Sequence, residues 1–184
     1  MHAKVEKGEE YNKAHVIVKL RKDLNQKKRL NARVYLGYVN TKNDKYKLKM
    51  SAWNGADDYM FSERTFSRSE SSEHNLPYQQ QIFIREGGLK HFTNDSLNSS
   101  QWLSSLYLDY NFSKPFNIYA EGGTNGTDFA YGSGFLISGK IYIPEFVNAG
   151  LKLSFPLVTE EGVVDFKDYK NVLRFNVYLN IFTF

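Results

Sequence analysis

The sequence has no cysteine, which excludes a disulfide framework and any thiolate metal site. It has no long apolar run. Nothing approaches the roughly 20 consecutive apolar residues a transmembrane helix needs, and the mean hydropathy is −0.52, so helical membrane spans are excluded. A β-barrel is not, because its strands turn apolar side chains to lipid only at every second position. There is little excess of charge of either sign. Against 20 Asp and Glu stand 24 Lys and Arg, a formal +4, which implies no nucleic-acid partner. The start, Met1-His2-Ala3-Lys4-Val5-Glu6, shows no basic segment followed by an apolar one.

Aromatic residues are abundant, at 16% of 184 residues, and Tyr and Phe make up most of them. Both favour strands. Alternation with period two runs through most of the chain. From Trp102 to Phe112 the even positions are Trp, Ser, Leu, Leu, Tyr and Phe, and the odd positions from 103 are Leu, Ser, Tyr, Asp and Asn. Such a strand has two different environments. Phe135, Ile137, Ile141 and Ile143 share a face opposite Leu136, Ser138, Lys140 and Tyr142. Val147, Ala149, Leu151, Leu153 and Phe155 alternate with Asn148, Gly150, Lys152 and Ser154, and Leu173, Phe175, Val177, Leu179 and Ile181 with Arg174, Asn176, Tyr178 and Asn180. The N-terminal half repeats the pattern around Ala14–Leu20, Leu30–Tyr38 and Tyr46–Ala52. The reading predicts about ten strands, at 13–22, 29–40, 45–53, 57–66, 78–86, 101–112, 115–122, 129–143, 146–157 and 172–183, in one domain spanning 1–184.

Towards the C-terminus short connections (Ser113-Lys114, Pro144-Glu145) alternate with long polar ones (94–100, 122–128, 158–171). Outer-membrane barrels combine short periplasmic turns with long outer loops. The segment 67–77 breaks the rule: counted back along the strands, it is long yet lies on the short-turn side. A two-layer sandwich also alternates, but its polar face meets water. Here that face carries Tyr107, Asp109, Asn111, Tyr119, Glu121, Asn176, Tyr178 and Asn180, which suits a packed lumen. Aromatics near strand ends, among them Trp102, Tyr110, Phe112, Phe116, Phe129 and Tyr131, suit interfacial girdles. The expected fold is therefore all-β, an antiparallel up-and-down transmembrane barrel of eight to ten strands, alone or as part of a larger barrel.

Residues 57–184 carry a more specific signal. Ser67-Arg68-Ser69-Glu70, Gln79-Gln80-Gln81-Ile82-Phe83-Ile84-Arg85-Glu86-Gly87-Gly88-Leu89-Lys90 and Gln101-Trp102-Leu103, followed by Gly134-Phe135-Leu136-Ile137, Ile143-Pro144-Glu145-Phe146, Leu153-Ser154-Phe155-Pro156-Leu157 and Tyr169-Lys170-Asn171-Val172-Leu173-Arg174-Phe175, resemble the C-terminal barrel of certain outer-membrane proteins of the membrane-alanyl-aminopeptidase-like (gluzincin) family. The resemblance implies a peptidase domain upstream, with a His-Glu-x-x-His helix and a later Glu binding zinc. It also implies paired Arg68 and Glu70 charges inside the lumen. This chain contains no such helix motif, and its histidines, His2, His15, His74 and His91, include no pair at that spacing. The chain is then the anchor rather than the enzyme. We expect it to be a mature or truncated segment whose Met1 is not the native start.

Other motifs have bland readings. Ser69-Glu70 with Glu73-His74 lacks a second histidine and reads as a polar turn. Gly122-Gly123-Thr124-Asn125-Gly126-Thr127-Asp128 lacks the Lys-Ser/Thr ending and the helix of a phosphate loop and reads as a hairpin. Asp57-Asp58 lacks the spaced ligands of a calcium loop. Arg85-Glu86-Gly87-Gly88 reads as a strand end. Lys27-Lys28-Arg29 is a basic tip, with a solvated turn as default and anionic headgroups as the alternative. The terminal Phe182-Thr183-Phe184 matches the aromatic close that barrel-assembly machinery reads, although its phase follows Asn176 and Asn180 rather than Leu179 and Ile181.

The sequence therefore predicts a non-enzymatic membrane anchor or structural module of a Gram-negative outer membrane. It assigns no catalytic, cofactor-binding or metal-ligating residue, and no cofactor. The expected partners are the lipid bilayer, the assembly machinery through the C-terminal strand, and an upstream or partner domain, with no nucleic acid. The alternatives are a small transport or assembly barrel with 67–77 as a lumen plug, and a soluble β-sandwich binding module.

Overall fold

The computed structural model describes residues 1–25, 28–50, 82–83, 89, 95–143, 147–165, 167 and 174–181, with backbone alone for residues 2, 45, 82–83, 95, 140–143, 147–152 and 174–181. One all-β sheet organises them. Its strands are β1 (His2–Lys7), β2 (Tyr11–Asp23), β3 (Arg29–Thr41), β4 (Ile82–Phe83), β5 (Trp102–Ser113), β6 (Phe116–Thr124), β7 (Phe129–Ile143), β8 (Val147–Thr159), β9 (Gly162–Val163) and β10 (Arg174–Ile181). The spatial order is β1-β2-β3-β5-β6-β7-β8-β10-β4, with β9 attached to β8. Eight of these strands form an antiparallel meander in which each pairs with the next long strand in sequence. β4 is a two-residue addition, parallel to β10 at Phe175 and Asn176. Among the described residues no pairing joins β1 to β10, so the sheet is open as described.

The meander gives the sheet two ends. One carries the β2–β3, β5–β6 and β7–β8 connections. The other carries the turns at 8–10 and 125–128, the β8–β9 turn, and the connection from Thr41 to Trp102. Two register shifts bend the strands. In the β7–β8 pair Ser133 faces Val158 and Gly134 faces Pro156, leaving Leu157 as the extra residue of a bulge, the kind of position where a sheet tolerates proline. Gly134 is required there, because a Cβ would run into the Phe155 carbonyl oxygen.

The sequence reading and the structure agree on the alternating segments from 101 onward and on β2 and β3. They differ before 101. The strand expected at 45–53 is a 3-10 turn at Asp44–Tyr46 followed by an isolated bridge from Leu48 to Ser99. The expected strand at 57–66 and the segment 67–77 lie outside the described residues, and of 78–86 only Ile82–Phe83 is described as strand. Because β3 and β5 are direct antiparallel neighbours, both ends of the 42–101 connection emerge at the long-loop end. β1 was not expected at all.

The connection packs back onto the sheet. Leu48, Met50, Leu89 and Leu97 are buried with Ile17, Tyr35, Val39, Leu103 and Ala130 in one apolar cluster at the long-loop end. Leu48 and Ser99 exchange backbone hydrogen bonds of 2.7 and 2.8 Å, and Leu89 N donates to Met50 O at 3.3 Å. The Met50 thioether lies over Gly123, where a Cβ would clash with it.

Candidate functional site

Since neighbouring side chains on a strand point to opposite faces, each face of the sheet can be read separately. On β5 and β6 the buried positions are Leu103, Ser105, Tyr107, Asp109, Asn117, Tyr119, Glu121 and Gly123, while Trp102, Leu106, Leu108, Phe112, Phe116 and Ile118 are exposed. On these two strands the charged side chains lie on the buried face and the exposed face is apolar. The exposed apolar set continues across the neighbouring strands with Leu20, Leu30, Leu36, Tyr38, Phe129, Tyr131 and Phe135. Register makes it continuous: Val16 faces Leu36, Val34 faces Leu106, Ala32 faces Leu108, Tyr110 faces Ile118, and Ile118 faces Phe135. From Ala14 to Leu20, Leu30 to Tyr38, Trp102 to Phe112, Phe116 to Thr124 and Phe129 to Gly139, this face holds no Asp, Glu, Lys or Arg. Aromatics mark both of its limits. Phe129 and Tyr131 stack at 6.1 Å near the long-loop end, beside Tyr38 and Trp102, and Phe112 and Phe116 stack at 6.4 Å at the short-turn end.

Beside the apolar cluster at the long-loop end, the inner face carries a strip of buried polar side chains. Asp109, only 5% exposed, accepts hydrogen bonds at Oδ1 from Asn31 Nδ2 at 2.9 Å and Asn117 Nδ2 at 3.2 Å. Asn111 Nδ2 donates to Asn117 Oδ1 at 2.7 Å. Tyr107 and Tyr119 stack at 6.2 Å, and the Arg33 guanidinium lies 5.6 Å from the Tyr107 ring centre. Glu121 is buried opposite Tyr107. On the N-terminal strands Lys4 pairs with Glu6, and buried Lys13 sits over the Tyr11 ring. Removing charges from water is tolerated when hydrogen bonds and opposite charges compensate, and this strip supplies both.

The expected lumen residues Tyr107, Asp109, Tyr119 and Glu121 are brought together on one face, with half-buried Asn111 beside them. The side chains of Lys152, Asn176, Tyr178 and Asn180 lie outside the described residues, as do those of Leu151 and the terminal Phe182-Thr183-Phe184. So do Asp57-Asp58, Arg68, Ser69-Glu70, Glu73-His74, Arg85-Glu86-Gly87-Gly88 and Lys27. The glycine-rich 122–128 segment is a strand end and a hairpin turn. Asn125 Oδ1 accepts from the backbone N–H of Thr127 and Asp128 at 3.0 and 2.8 Å, and Gly126 takes φ 93°. Sequence reasoning missed the contribution of Asn31, Arg33 and Lys13. Their parity carried the signal, since each alternates with apolar residues on β2 or β3.

At the short-turn end, beyond the apolar face, Asp23 accepts from Arg29 Nε at 2.7 Å and lies 3.5 Å from Arg21 Nε. The Arg29 hydrogen bond, with help from the Arg21 charge, holds its carboxyl below the ordinary aspartate range. Among the described residues no helix is long and apolar enough to cross a membrane, a fact that bears on helices alone, and no three His, Cys, Asp or Glu residues gather as a metal site. No family model, no curated protein and no solved structure matches this chain.

Proposed function

We propose that this chain is a transmembrane β-barrel of the bacterial outer membrane, acting as a membrane anchor or structural module. The observation that carries the reading is the inversion of the sheet: a continuous, uncharged, solvent-exposed apolar face outside, and buried Asp109, Glu121 and Lys13 inside. Water gives no reason to expose Leu36, Leu106, Ile118 and Phe135 while burying charges. Lipid does, because the outer face then meets hydrocarbon and polar groups must be satisfied internally.

The dimensions support this. From Trp102 to Phe112 the strand advances ten residues, about 33 Å at strand rise. At a tilt of about 40° this covers roughly 25 Å of membrane normal, the height of a barrel's apolar band. Strand directions support closure. β1 begins and β10 ends at the short-turn end, so the two run antiparallel, and an even number of long strands is the rule for such barrels. In this account β1 and β10 meet at the seam beside β4. A lumen bounded by eight strands is filled by side chains, consistent with the packed Tyr107–Tyr119–Asp109 strip and the Leu48–Met50–Leu97 cluster, so a wide solute pore is not part of the proposal.

The family resemblance of residues 57–184 supports a further step: the barrel anchors an upstream peptidase-like domain, and its C-terminal strand is the segment the assembly machinery reads. The anchor itself carries out no chemistry. The proposal is tested by purification. The chain should partition with detergent or vesicles and aggregate without them. A monodisperse monomer in plain buffer would remove the membrane reading in favour of a soluble sandwich. An upstream His-Glu-x-x-His in the intact gene is required for the peptidase step.

A further inference from the structure

Where the apolar face ends at the short-turn side, cations begin. On β2 the outward position after Leu20 is Lys22. Lys28 precedes β3, Arg29 opens it, and Lys114 lies in the turn between Phe112 and Phe116. All four are exposed. Lys28 is held by its backbone: Leu24 N donates to Lys28 O at 3.0 Å, and Lys28 N donates to Asn25 Oδ1 at 2.8 Å. Among the described residues at this rim the opposing carboxylate is Asp23, held by Arg29 and Arg21. Lys22, Lys28 and Lys114 form no ion pair with any described residue. The opposite end is mixed in charge. Its hairpin tips carry Glu9, Glu10, Asp128, Glu160 and Glu161, while Lys42, Lys45, Lys47 and Lys49 follow β3 at the same end.

We propose that the short-turn rim is a docking surface for the anionic headgroups of a phospholipid leaflet. This rests on the membrane reading above. An anionic leaflet has a negative surface potential that fades within a Debye length, about 8–10 Å at moderate salt, so only cations at headgroup depth feel it strongly. Lys22 meets that condition, two residues or about 7 Å along the strand beyond Leu20, and Lys114 lies between the aromatic pair that marks the edge of the band. The cation ring continues the apolar band directly, and its charge complements the leaflet it would face.

The test uses the full chain in phosphatidylcholine vesicles at low salt. Two single-tryptophan proteins are compared, one keeping Trp102 (Trp53→Phe) and one carrying Phe112→Trp with Trp53→Phe and Trp102→Phe. Brominated phosphatidylglycerol should quench the tryptophan at 112 with an apparent affinity at least about fivefold above that of brominated phosphatidylcholine, the effect of one cation near an anionic surface. At Trp102, at the opposite end, the ratio of the two lipids should stay the same when the rim is neutralised. The preference at 112 should disappear in the Lys22→Gln/Lys28→Gln/Arg29→Gln/Lys114→Gln protein, shrink in Lys28→Gln alone, and vanish in the unmodified rim at 1 M salt. Equal quenching by both lipids at 112, or a preference that survives both neutralisation and salt, overturns the headgroup proposal and leaves the barrel intact. Absence of quenching at 112 by either lipid overturns the membrane reading itself.

Discussion

Leu106 lies near the middle of β5, four residues from Trp102 and six from Phe112, opposite Val34 on one side and Gly122 on the other. It is 45% exposed, so the surroundings of that exposed surface decide what a charge there costs. If it meets water, Leu106→Arg adds a solvated cation to the surface, and the change stays within about 0.5 kcal/mol. If it meets the hydrocarbon midplane, the same substitution costs about 2–4 kcal/mol, which lowers the folding equilibrium roughly 30- to 700-fold. The assay is reversible urea unfolding in lipid vesicles, followed by tryptophan fluorescence. Leu106→Ala serves as the control for lost apolar contact without added charge, and Leu106→Arg must be clearly worse. A neutral or stabilising Leu106→Arg would refute the lipid-facing assignment.

Asp109→Ala should cost about 1–3 kcal/mol in the same assay, because the Asn31 and Asn117 amides lose their shared acceptor in a buried place; a neutral result would mean the inner strip is wet. Gly134→Ala should destabilise by about 1–3 kcal/mol through collision with the Phe155 carbonyl. Gly139→Ala, with nothing near its Cβ, should be neutral or slightly stabilising, and the reverse order would refute the β7–β8 register. Gly123→Val should dislodge Met50 and speed limited proteolysis within the 42–101 connection, with unchanged cleavage counting against the packing of that connection on the inner face.

The strands that read clearly in sequence are those whose alternation sets Leu, Ile and Phe against Tyr, Asn and Asp, as on β5, where Leu106 and Leu108 turn outward and Asp109 inward. β1 escaped notice because His2, Lys4 and Glu6 dominate a short segment with few apolar partners, and period two is faint when one face is Ala3 and Val5 alone. Tyr46, Leu48 and Met50 misled in the opposite direction. Their alternation is real, but it buries Leu48 and Met50 against the inside of the sheet rather than placing them within it, and periodicity cannot separate an extended segment lying on a sheet from a strand hydrogen-bonded in it. The inner network was legible in kind from Asp109 and Glu121, whereas the bonds from Asn31 and Asn117 depend on register, which only the paired backbone fixes.

The central claim concerns which face meets lipid, and a nitroxide scan along β5 tests it most directly. The chain has no cysteine, so single Cys replacements from Ser104 to Asn111 can be labelled without background in reconstituted vesicles. The account predicts collision with dissolved oxygen highest at Ser104, Leu106, Leu108 and Tyr110, with collision with a water-soluble nickel complex low there, and oxygen minima at Ser105, Tyr107 and Asp109. Nickel accessibility that peaks at Leu106 and Leu108, or a profile without a period of two, would contradict it.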